Sequence, residues 1–140
     1  MTEYDPSNLF AKILNDEIPC HKIFDDDNVL VFMDIMPQTR GHCLVLPRAP
    51  SRNLLDADPA ALAMVTPCVQ RVAVAAKKAL NEDGLRIRQV NESAAGQTVF
   101  HLHFHVMPIY EGVPVKPHSD GQADPAELAV LAKMIAAAMH

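Results

Sequence analysis

Three histidines alternate with apolar residues in the stretch HLHFHVMP, residues 101–108. Successive side chains of an extended strand point to opposite faces, so His101, His103 and His105 are expected to share one face. The apolar residues between them would share the other face and pack on a core. Imidazole rings bind metals, transfer protons and act as nucleophiles, so the histidine face is the first candidate for chemistry.

Three interpretations of this spacing stay open at this point. Solvated histidines are the least favoured, because strict alternation seldom arises by drift. A metal site is awkward, because the outer histidines start ~13 Å apart on a strand that rises ~3.3 Å per residue, whereas zinc binds nitrogen at about 2.0–2.1 Å. Covalent catalysis at phosphorus is favoured: one ring nitrogen attacks while an acceptor holds the other, and neighbouring imidazoles donate to phosphate oxygens.

The turn directly before the triad, AAGQTVF, strengthens the phosphorus interpretation. Gly96 lets the backbone approach a ligand closely, and Gln97 and Thr98 add side-chain donors. In isolation this stretch would be an ordinary turn between two strands. Beside three alternating histidines it predicts a phosphate-binding turn.

Composition restricts the class of protein. A chain of 140 residues with 49% hydrophobic residues fits one domain with a core that needs no disulfides. The formal net charge of −5 argues against a protein that grips a nucleic-acid backbone. No run approaches the length of a membrane span, and MTEYDPSNLF lacks the features of a signal peptide. We therefore expect a cytoplasmic protein that binds neither nucleic acid nor membrane.

The three cysteines, Cys20, Cys43 and Cys68, predict no disulfide framework or zinc knuckle, since they are odd in number and have no CxxC spacing. Cys43 follows His42, but adjacent strand residues face opposite ways, so the pair is not expected to share a proton. All three cysteines are predicted to be buried structural residues.

Turn signals and apolar periodicity predict an α+β fold, with an antiparallel β-sheet and flanking helices. Five strands are predicted, at 20–25, 28–34, 41–47, 85–91 and the triad stretch. Three helices are predicted, at 7–15 with Ser7 as N-cap, at 58–80 and at 124–139. Pro67 should kink or split the second helix. The third begins after Asp124 and carries an apolar stripe of Leu128, Leu131, Ile135 and Met139.

The sequence also resembles a known family. NESAAGQTVFHLHFHVMP resembles the signature of the histidine-triad (HIT) family, FAKILNDEIP its N-terminal helix and turn, and VFMDIMPQTRGHCLVLP its aspartate-bearing strand, turn and Gly-His strand. The similarity covers about residues 8–110 and is to the Hint-like nucleotide hydrolases and transferases. It implies one HIT-like domain over 1–140, with loop 111–123 and helix 124–139 appended, and a homodimer that joins its sheets.

The resemblance also implies roles for the histidines. His103 would attack the α-phosphorus of a nucleotide and carry the nucleotidyl group, while the carbonyl of His101 holds its other ring nitrogen. His105 and Thr98 would contact phosphate and leaving-group oxygens. His42 is the family's fourth histidine, beside the triad. No cofactor is implied.

The nucleotide contacts are likewise implied by the resemblance. Asp34 would bind the ribose hydroxyls of a purine nucleotide. Phe10, Ile35 and Leu44 would line the base pocket. The phosphate would be placed with the help of Asn91, Gly96 and Gln97.

The expected activity is hydrolysis of nucleoside 5′-phosphoramidates or related nucleotides through a covalent adduct on His103. One alternative is hydrolysis of dinucleoside polyphosphates, which differ only in the leaving group. A second is a nucleotide-binding interaction protein whose hydrolysis is incidental, and a third is a metal-binding module.

Two departures from the family pattern matter. Some bacterial members hold a structural zinc, and three of its four ligand positions correspond here to Asn8, Ala11 and Pro50, so no metal is expected. Ile109 stands where the family often has arginine after the triad, which affects any contact that arginine makes with substrate.

Several other polar residues are assigned no role in catalysis. Arg86 and Arg88 alternate with apolar residues and are expected to line the solvated face of a sheet. Three histidines are expected to be exposed and uninvolved, namely His21, His118 and His140. One alternative hypothesis places Lys116 and His118 in the partner's active site within a dimer.

Overall fold

Five strands and three α-helices form the fold in the computed structural model, which describes residues 2–118 and 121–139. In chain order they are α1 (Leu9–Leu14), β1 (Lys22–Asp25), β2 (Val29–Met33), β3 (Cys43–Pro47), α2 (Pro59–Leu80), β4 (Gly84–Arg88), β5 (Phe104–Ile109) and α3 (Pro125–Ala138). Short 3-10 helices at Leu54–Asp56 and Ser93–Ala95 precede α2 and β5 respectively.

The strands form one sheet in the order β1-β2-β3-β5-β4, and each neighbouring pair is antiparallel. This confirms the predicted α+β class. β5 begins only at Phe104, however, so the prediction that all three histidines lie in one strand is wrong. The chain before β5 leaves the sheet because the N–H of Leu102 donates to the carbonyl of Ser51 at 2.9 Å.

The alternation of side chains along the central strands produces two cores, one on each face of the sheet. Val31, Val45 and Val106 pack with residues of α2 and α3 on one face. The opposite face carries a smaller cluster under α1, made of Phe10, Ile13, Leu30, Phe32, Leu44 and Leu46. Leu44 lies opposite His105 in the β3–β5 register, so the second face also carries the histidine side chain.

The ends of the helices differ from the predictions in two places. Asn8, rather than Ser7, caps α1, because its side chain accepts a hydrogen bond from the N–H of Ala11 at 2.9 Å, while Ser7 bonds to Asp5. α2 runs through Pro67 as one helix of 22 residues, so the predicted split is wrong. Pro67 is exposed, which leaves the carbonyl that its missing N–H would have bonded accessible to water.

The length and composition of α2 also contradict the expectation that no run approaches a membrane span. The helix has 22 residues, and an 18-residue window of it has a mean hydropathy of 1.3. By length and composition alone, such a helix could cross a membrane. Core helices of globular domains meet the same criteria. Here the helix buries one face in the larger core, with the side chains of Val65, Cys68, Val69, Val72, Ala75 and Ala76.

Gly41, directly before His42, occupies a position that a larger residue would strain. Its φ is +90°, and an added Cβ would overlap Leu80 Cδ1 and lie 3.1 Å from Pro108 Cγ. Gly112 also has a positive φ, +79°, but a Cβ added there would meet no atom within 4 Å. Substitutions at the two glycines therefore distinguish the cost of backbone strain from the cost of steric overlap.

We expect Gly112→Ala to lower the free energy of unfolding by the cost of a positive φ, about 1–3 kcal/mol. Gly41→Ala should lower it by more, because the overlap adds to the same backbone cost. Urea unfolding of the two variants and the wild type measures the difference. Equal losses in the two variants would contradict a cost for displacing the Leu80 side chain.

Candidate active site

A cavity that opens to solvent, with about 710 Å³ of space including its mouth, lies on the α1 side of the sheet. Most of its lining is apolar, and its polar groups come from the end of β2, from β5 and the turn before it, and from the segment after β5. An apolar lining with a few convergent polar groups is the character of a small-molecule site. The three residues predicted for a base pocket, Phe10, Ile35 and Leu44, all line it, as do Asp34 and Thr98.

A second, smaller cavity of about 350 Å³ adjoins the first. The two share four lining residues, Thr98, His103, His105 and His118. Gly96 and Arg88 line only the smaller one. The junction of the cavities therefore brings together the groups able to act on a phosphorus atom.

His103 presents one free ring nitrogen to this junction. Its Nδ1 lies 2.6 Å from the carbonyl oxygen of His101, which can only accept, so Nδ1 carries the proton and Nε2 keeps its lone pair. Burial lowers the pKa of His103, which keeps the ring neutral at neutral pH. The edge of the Phe10 ring packs against the imidazole, with centroids 4.8 Å apart. His103 is therefore oriented and protonated as a nucleophile requires.

The ring of His101 is turned away from both cavities. Its Nε2–H donates to the carbonyl of Pro47 at 2.8 Å, and its Nδ1 accepts from the hydroxyl of Tyr4 at 2.7 Å. Burial lowers the pKa of His101 to about 4. The side chain of His101 thus anchors the chain, and only its carbonyl reaches His103.

A chain of hydrogen bonds fixes the tautomer of His105. The backbone N–H of Gln38 donates to His42 Nδ1 at 3.1 Å, so the proton of neutral His42 resides on Nε2. That Nε2 lies 2.8 Å from His105 Nδ1 and donates to it. The remaining ring nitrogen of His105, Nε2, therefore carries a proton. Burial lowers the pKa of His42 to about 4 and that of His105 to about 2, so both rings are neutral donors.

Asp34 lies at the end of β2, where it borders the larger cavity. One carboxylate oxygen accepts the N–H of Met36 at 2.9 Å, and the other lies 3.2 Å from His118 Nε2 and 3.5 Å from His42 Nε2. The carboxylate is buried with one face toward the cavity, as acceptance of hydroxyl groups would require.

His118 contributes to the site, so the prediction that it is an uninvolved surface residue is wrong. The segment 111–118, here called the strap, crosses the turn after β2. The N–H of Lys116 donates to the carbonyl of Gln38 at 2.9 Å, and the Gln38 amide donates to the carbonyl of Lys116 at 3.1 Å. These bonds bring His118 to the cavities of its own chain. His21 lines neither cavity, and His140 lies outside the described residues.

The side chains of Gln97 and Asn91 hold the turn before β5, because their amide donors are bonded within the protein. The Gln97 amide donates to the carbonyls of Arg52 and Val99, at 2.8 and 3.1 Å, and accepts from Glu92 and Asn53. The side chain of Asn91 bonds to the N–H of Leu54 and to Gln89. Gln97 also lines the smaller cavity. That these two residues help to place a phosphate stays a prediction, and their hydrogen bonds indicate that they would do so by holding the turn.

Sequence reasoning missed the ion pair that holds this turn. The Arg52 guanidinium donates twice to Glu92, at 2.8 and 3.1 Å, and lies 4.0 Å from the centre of the Phe100 ring. Glu92 takes a φ of +74°, and no local pattern signals a pair separated by 40 residues.

Arg88 is exposed, as the sequence predicts, but it also borders the smaller cavity. Its partner across the β4–β5 pair is His105, so correct pairing of the two strands would have placed it beside the triad.

Cys43 and Cys68 are buried in the larger core as predicted, and burial raises the pKa of Cys43 to about 12. Cys20 is only half-buried and lines the larger cavity, so its predicted burial in a core is wrong. It follows Pro19, at the edge of the apolar part of the cavity, where no strand places it in the core.

Asp34, His42 and His105 are close enough to be considered as metal ligands, with one potential ligand atom from each lying within 4.8 Å of the others. The hydrogen bond from Gln38 argues against this use of His42. It leaves the proton on Nε2, the atom that would face the ion, so a metal would have to displace that proton and break the bond. Asn8 and Ala11, at the family's zinc positions, form the N-terminal cap of α1.

The sheet presents a hydrogen-bonded histidine triad beside the acidic end of a strand. A family profile described as HIT domain matches residues 15–112. The chain belongs to the HIT family, whose members are nucleotide-binding hydrolases and transferases.

Solved structures and a curated relative agree with this assignment. A Hit-like protein from Bartonella henselae, described as involved in cell-cycle regulation, is 47% identical, with a TM-score of 0.93 over 98% of this chain and 99% of that one. A zinc-bound histidine triad family protein from Mycobacterium smegmatis is 35% identical, with a TM-score of 0.83 over 95% and 93%. The adenylylsulfatase HINT3 of Arabidopsis thaliana is 34% identical over 71% of this chain and 51% of its own length.

The buried neutral histidines link stability to pH. His42 and His101 have pKa values of about 4 in the folded chain, mainly because of burial, against about 6.5 when unfolded. As the pH falls below about 6.5, the unfolded chain binds protons that the folded chain does not, so the free energy of unfolding falls. Each such histidine contributes up to about 1.4 kcal/mol per pH unit in that window, and the contribution is constant above it.

We therefore expect urea unfolding to show a stability that declines from about pH 7 to about pH 5.5, where carboxylates contribute little. A His101→Gln variant, although less stable, should show a shallower decline. Stability that is independent of pH over this range would contradict the neutral state of these rings.

Proposed function

We propose that this protein hydrolyses nucleoside 5′-phosphoramidates or related nucleotides at the α-phosphorus through a covalent adduct on His103. The observation that carries the proposal is the 2.6 Å contact between His103 Nδ1 and the carbonyl of His101. It leaves the Nε2 lone pair of a neutral ring at the junction of the two cavities. Family membership supports the same mechanism.

The proposed reaction has two steps. In the first, the Nε2 lone pair of His103 forms a bond to phosphorus as the bond to the leaving group breaks. A leaving nitrogen that has taken a proton from solvent departs as a neutral amine, and its lone pair accepts a hydrogen bond from His105 Nε2–H. In the second, water attacks the same phosphorus and releases one proton to solvent, while the bond to His103 breaks. The products are the free leaving group and a nucleoside monophosphate, and both histidines regain their starting states.

The larger cavity supports the nucleoside half of this proposal. Asp34 offers a carboxylate that can accept both ribose hydroxyls, and the apolar lining suits the faces of a flat base. A purine is proposed on the family resemblance. Thr98 lies at the junction, where its hydroxyl can donate to an α-phosphate oxygen.

A dinucleoside polyphosphate hydrolase is the alternative within the same chemistry, and a nucleotide-binding interaction protein is the alternative outside it. Relative turnover of a phosphoramidate and a dinucleoside polyphosphate distinguishes the first from the main proposal. The second predicts tight nucleotide binding with a biological effect that survives loss of His103.

We further propose a cytoplasmic homodimer. β4 is an edge strand of the sheet, and it carries Ile87 with 48% of its surface exposed. α2 exposes Met64 and Val74, at 49% and 55%. An unpaired strand edge beside exposed apolar side chains is a surface that a second copy could cover.

The activity test compares wild type with His103→Asn on adenosine 5′-phosphoramidate in the presence of a chelator. We expect the variant to lose at least about 10³-fold in kcat, since the nucleophile is removed. His21→Asn, which removes a histidine outside both cavities, is the matched control. Activity that persists in His103→Asn, or that depends on a metal, would refute the covalent mechanism.

The dimer test is sedimentation equilibrium of wild type and Ile87→Lys. A charge at an apolar contact is expected to shift the population from two chains per particle to one. Val113→Lys, at another exposed apolar position, should leave the particle unchanged. A wild-type protein that sediments as one chain would overturn the proposal.

A further inference from the structure

Glu92 has a backbone conformation that glycine adopts easily and other residues adopt only under strain. Its φ is +74° and its ψ is +158°, a combination that is found almost only in glycine. Asn81 also has a positive φ, but its ψ of 40° places it in the left-handed helical region that asparagine tolerates. A strained residue of this kind persists only where its surroundings hold it, and such residues concentrate at functional sites.

The side chain of Glu92 supplies the contacts that hold it. Glu92 precedes the 3-10 helix Ser93–Ala95, but its side chain makes no capping hydrogen bond there. Its carboxylate instead accepts two hydrogen bonds from the Arg52 guanidinium, at 2.8 and 3.1 Å, and one from Asn53 Nδ2 at 2.6 Å. Because Arg52 donates to it, the pKa of Glu92 lies below its usual value. Forked, charge-assisted bonds therefore oppose the backbone strain.

The segment around Arg52 also holds the turn before β5. The carbonyl of Arg52 accepts a hydrogen bond from the Gln97 amide at 2.8 Å, and Asn53 Nδ2 donates to Gln97 Oε1 at 3.1 Å. Gln97 is buried and directly precedes Thr98, which lines both cavities. The guanidinium of Arg52 lies 4.0 Å from the centre of the Phe100 ring, between this turn and the triad. The position of the Thr98 hydroxyl therefore depends on this segment.

The same segment orients the carbonyl that bonds to the nucleophile. The carbonyl of His101 and the N–H of Leu102 belong to one planar peptide unit, so a bond that fixes one of them also directs the other. Ser51, directly before Arg52, accepts the N–H at 2.9 Å, while the carbonyl lies 2.6 Å from His103 Nδ1. A shift of the segment around Arg52 would thus turn the carbonyl that fixes the tautomer of His103.

We propose that Arg52 and Glu92 are positioning residues for the reaction at His103. Their ion pair holds the segments that place the Thr98 hydroxyl and the His101 carbonyl, and the strain at Glu92 is a cost in stability that accompanies this placement. Neither Arg52 nor Glu92 lines either cavity, so both act through the backbone. The proposal rests on the proposed function.

The kinetic test compares Arg52→Gln, Glu92→Gln and the double variant on adenosine 5′-phosphoramidate. We expect each single variant to lower kcat at least about tenfold with little change in KM, because small displacements of reacting groups lower the rate steeply while the nucleoside cavity is untouched. Since the two residues act as a unit, the double variant should lose no more than either single variant. Independent losses that multiply would contradict the shared role.

Arg48→Gln is the matched control for the charge. Arg48 lies four residues before Arg52 and is paired with the carboxylate of Asp25, away from both cavities. The substitution therefore removes an arginine and breaks an ion pair at a comparable place in the chain. We expect kcat to stay at the wild-type value.

Glu92→Gly and Glu92→Ala distinguish the strain from the ion pair. Both variants lack the carboxylate, but only glycine adopts this φ and ψ without strain. Glu92→Gly should therefore resist urea better than Glu92→Ala, while both lose kcat as Glu92→Gln does. Asp16→Gly is the control, since Asp16 has a φ of +59° and a carboxylate 3.4 Å from Lys22 Nζ, outside both cavities. It should keep the wild-type kcat.

Nitrogen-15 NMR of the His103 ring supplies a readout that a purely structural role would not change. Wild type should show the tautomer with the proton on Nδ1, because the His101 carbonyl accepts from that atom. In Arg52→Gln the displaced carbonyl should leave a mixture of the two tautomers. Arg48→Gln should keep the wild-type spectrum.

Two failures are distinguishable. If wild type hydrolyses neither a phosphoramidate nor a dinucleoside polyphosphate through His103, the proposed function is wrong, and a mixed tautomer in Arg52→Gln would still show that the pair orients His103. If wild type is active but Arg52→Gln keeps its kcat and its tautomer, the positioning role is overturned. Losses of kcat that are as large in Arg48→Gln and Asp16→Gly would overturn it as well, since they would follow stability alone.

Discussion

The hydrogen bond from His103 Nδ1 to the carbonyl of His101 is the contact on which the site depends. It requires that the chain before β5 leave the sheet, because a carbonyl within a strand pair would be committed to its neighbour. The buried ring of His101, held by Pro47 and Tyr4, fixes the position of that carbonyl. An imidazole that does no chemistry itself thus orients the one that can.

The second constraint is the separation of the two faces of the sheet. Valines at alternate positions of β2, β3 and β5 pack on α2 and α3. The residues between them form the apolar part of the cavity and carry His105. Because strand side chains alternate, the larger core lies on one face of the sheet and the candidate active site on the other. The face that carries the histidines remains open to a ligand.

Much of this can be predicted from the sequence because the signals are local. The alternation in the triad, the Asp-Pro starts of α2 and α3 and the turn residues between strands each depend on residues a few positions apart. The errors involve long-range contacts: His118 reaches Asp34 across 84 positions, and Arg52 reaches Glu92 across 40. The sequence predicts a side-chain donor at Gln97, because nothing nearby in it shows that the distant carbonyl of Arg52 occupies this side chain. Pro67 predicts a kink or a split, whereas α2 continues through it as one helix whose buried face packs in the larger core.

Gln38 makes hydrogen bonds both to the strap and to His42. Its amide side chain and carbonyl tie down the strap, and its N–H sets which nitrogen of His42, and through it of His105, holds a proton. Hydrogen bonds through Gln38 therefore link the position of the strap to the protonation of His42 and His105. Substitutions that accumulate around Lys116 would then alter the acid–base behaviour of His105, although no residue of the triad had changed.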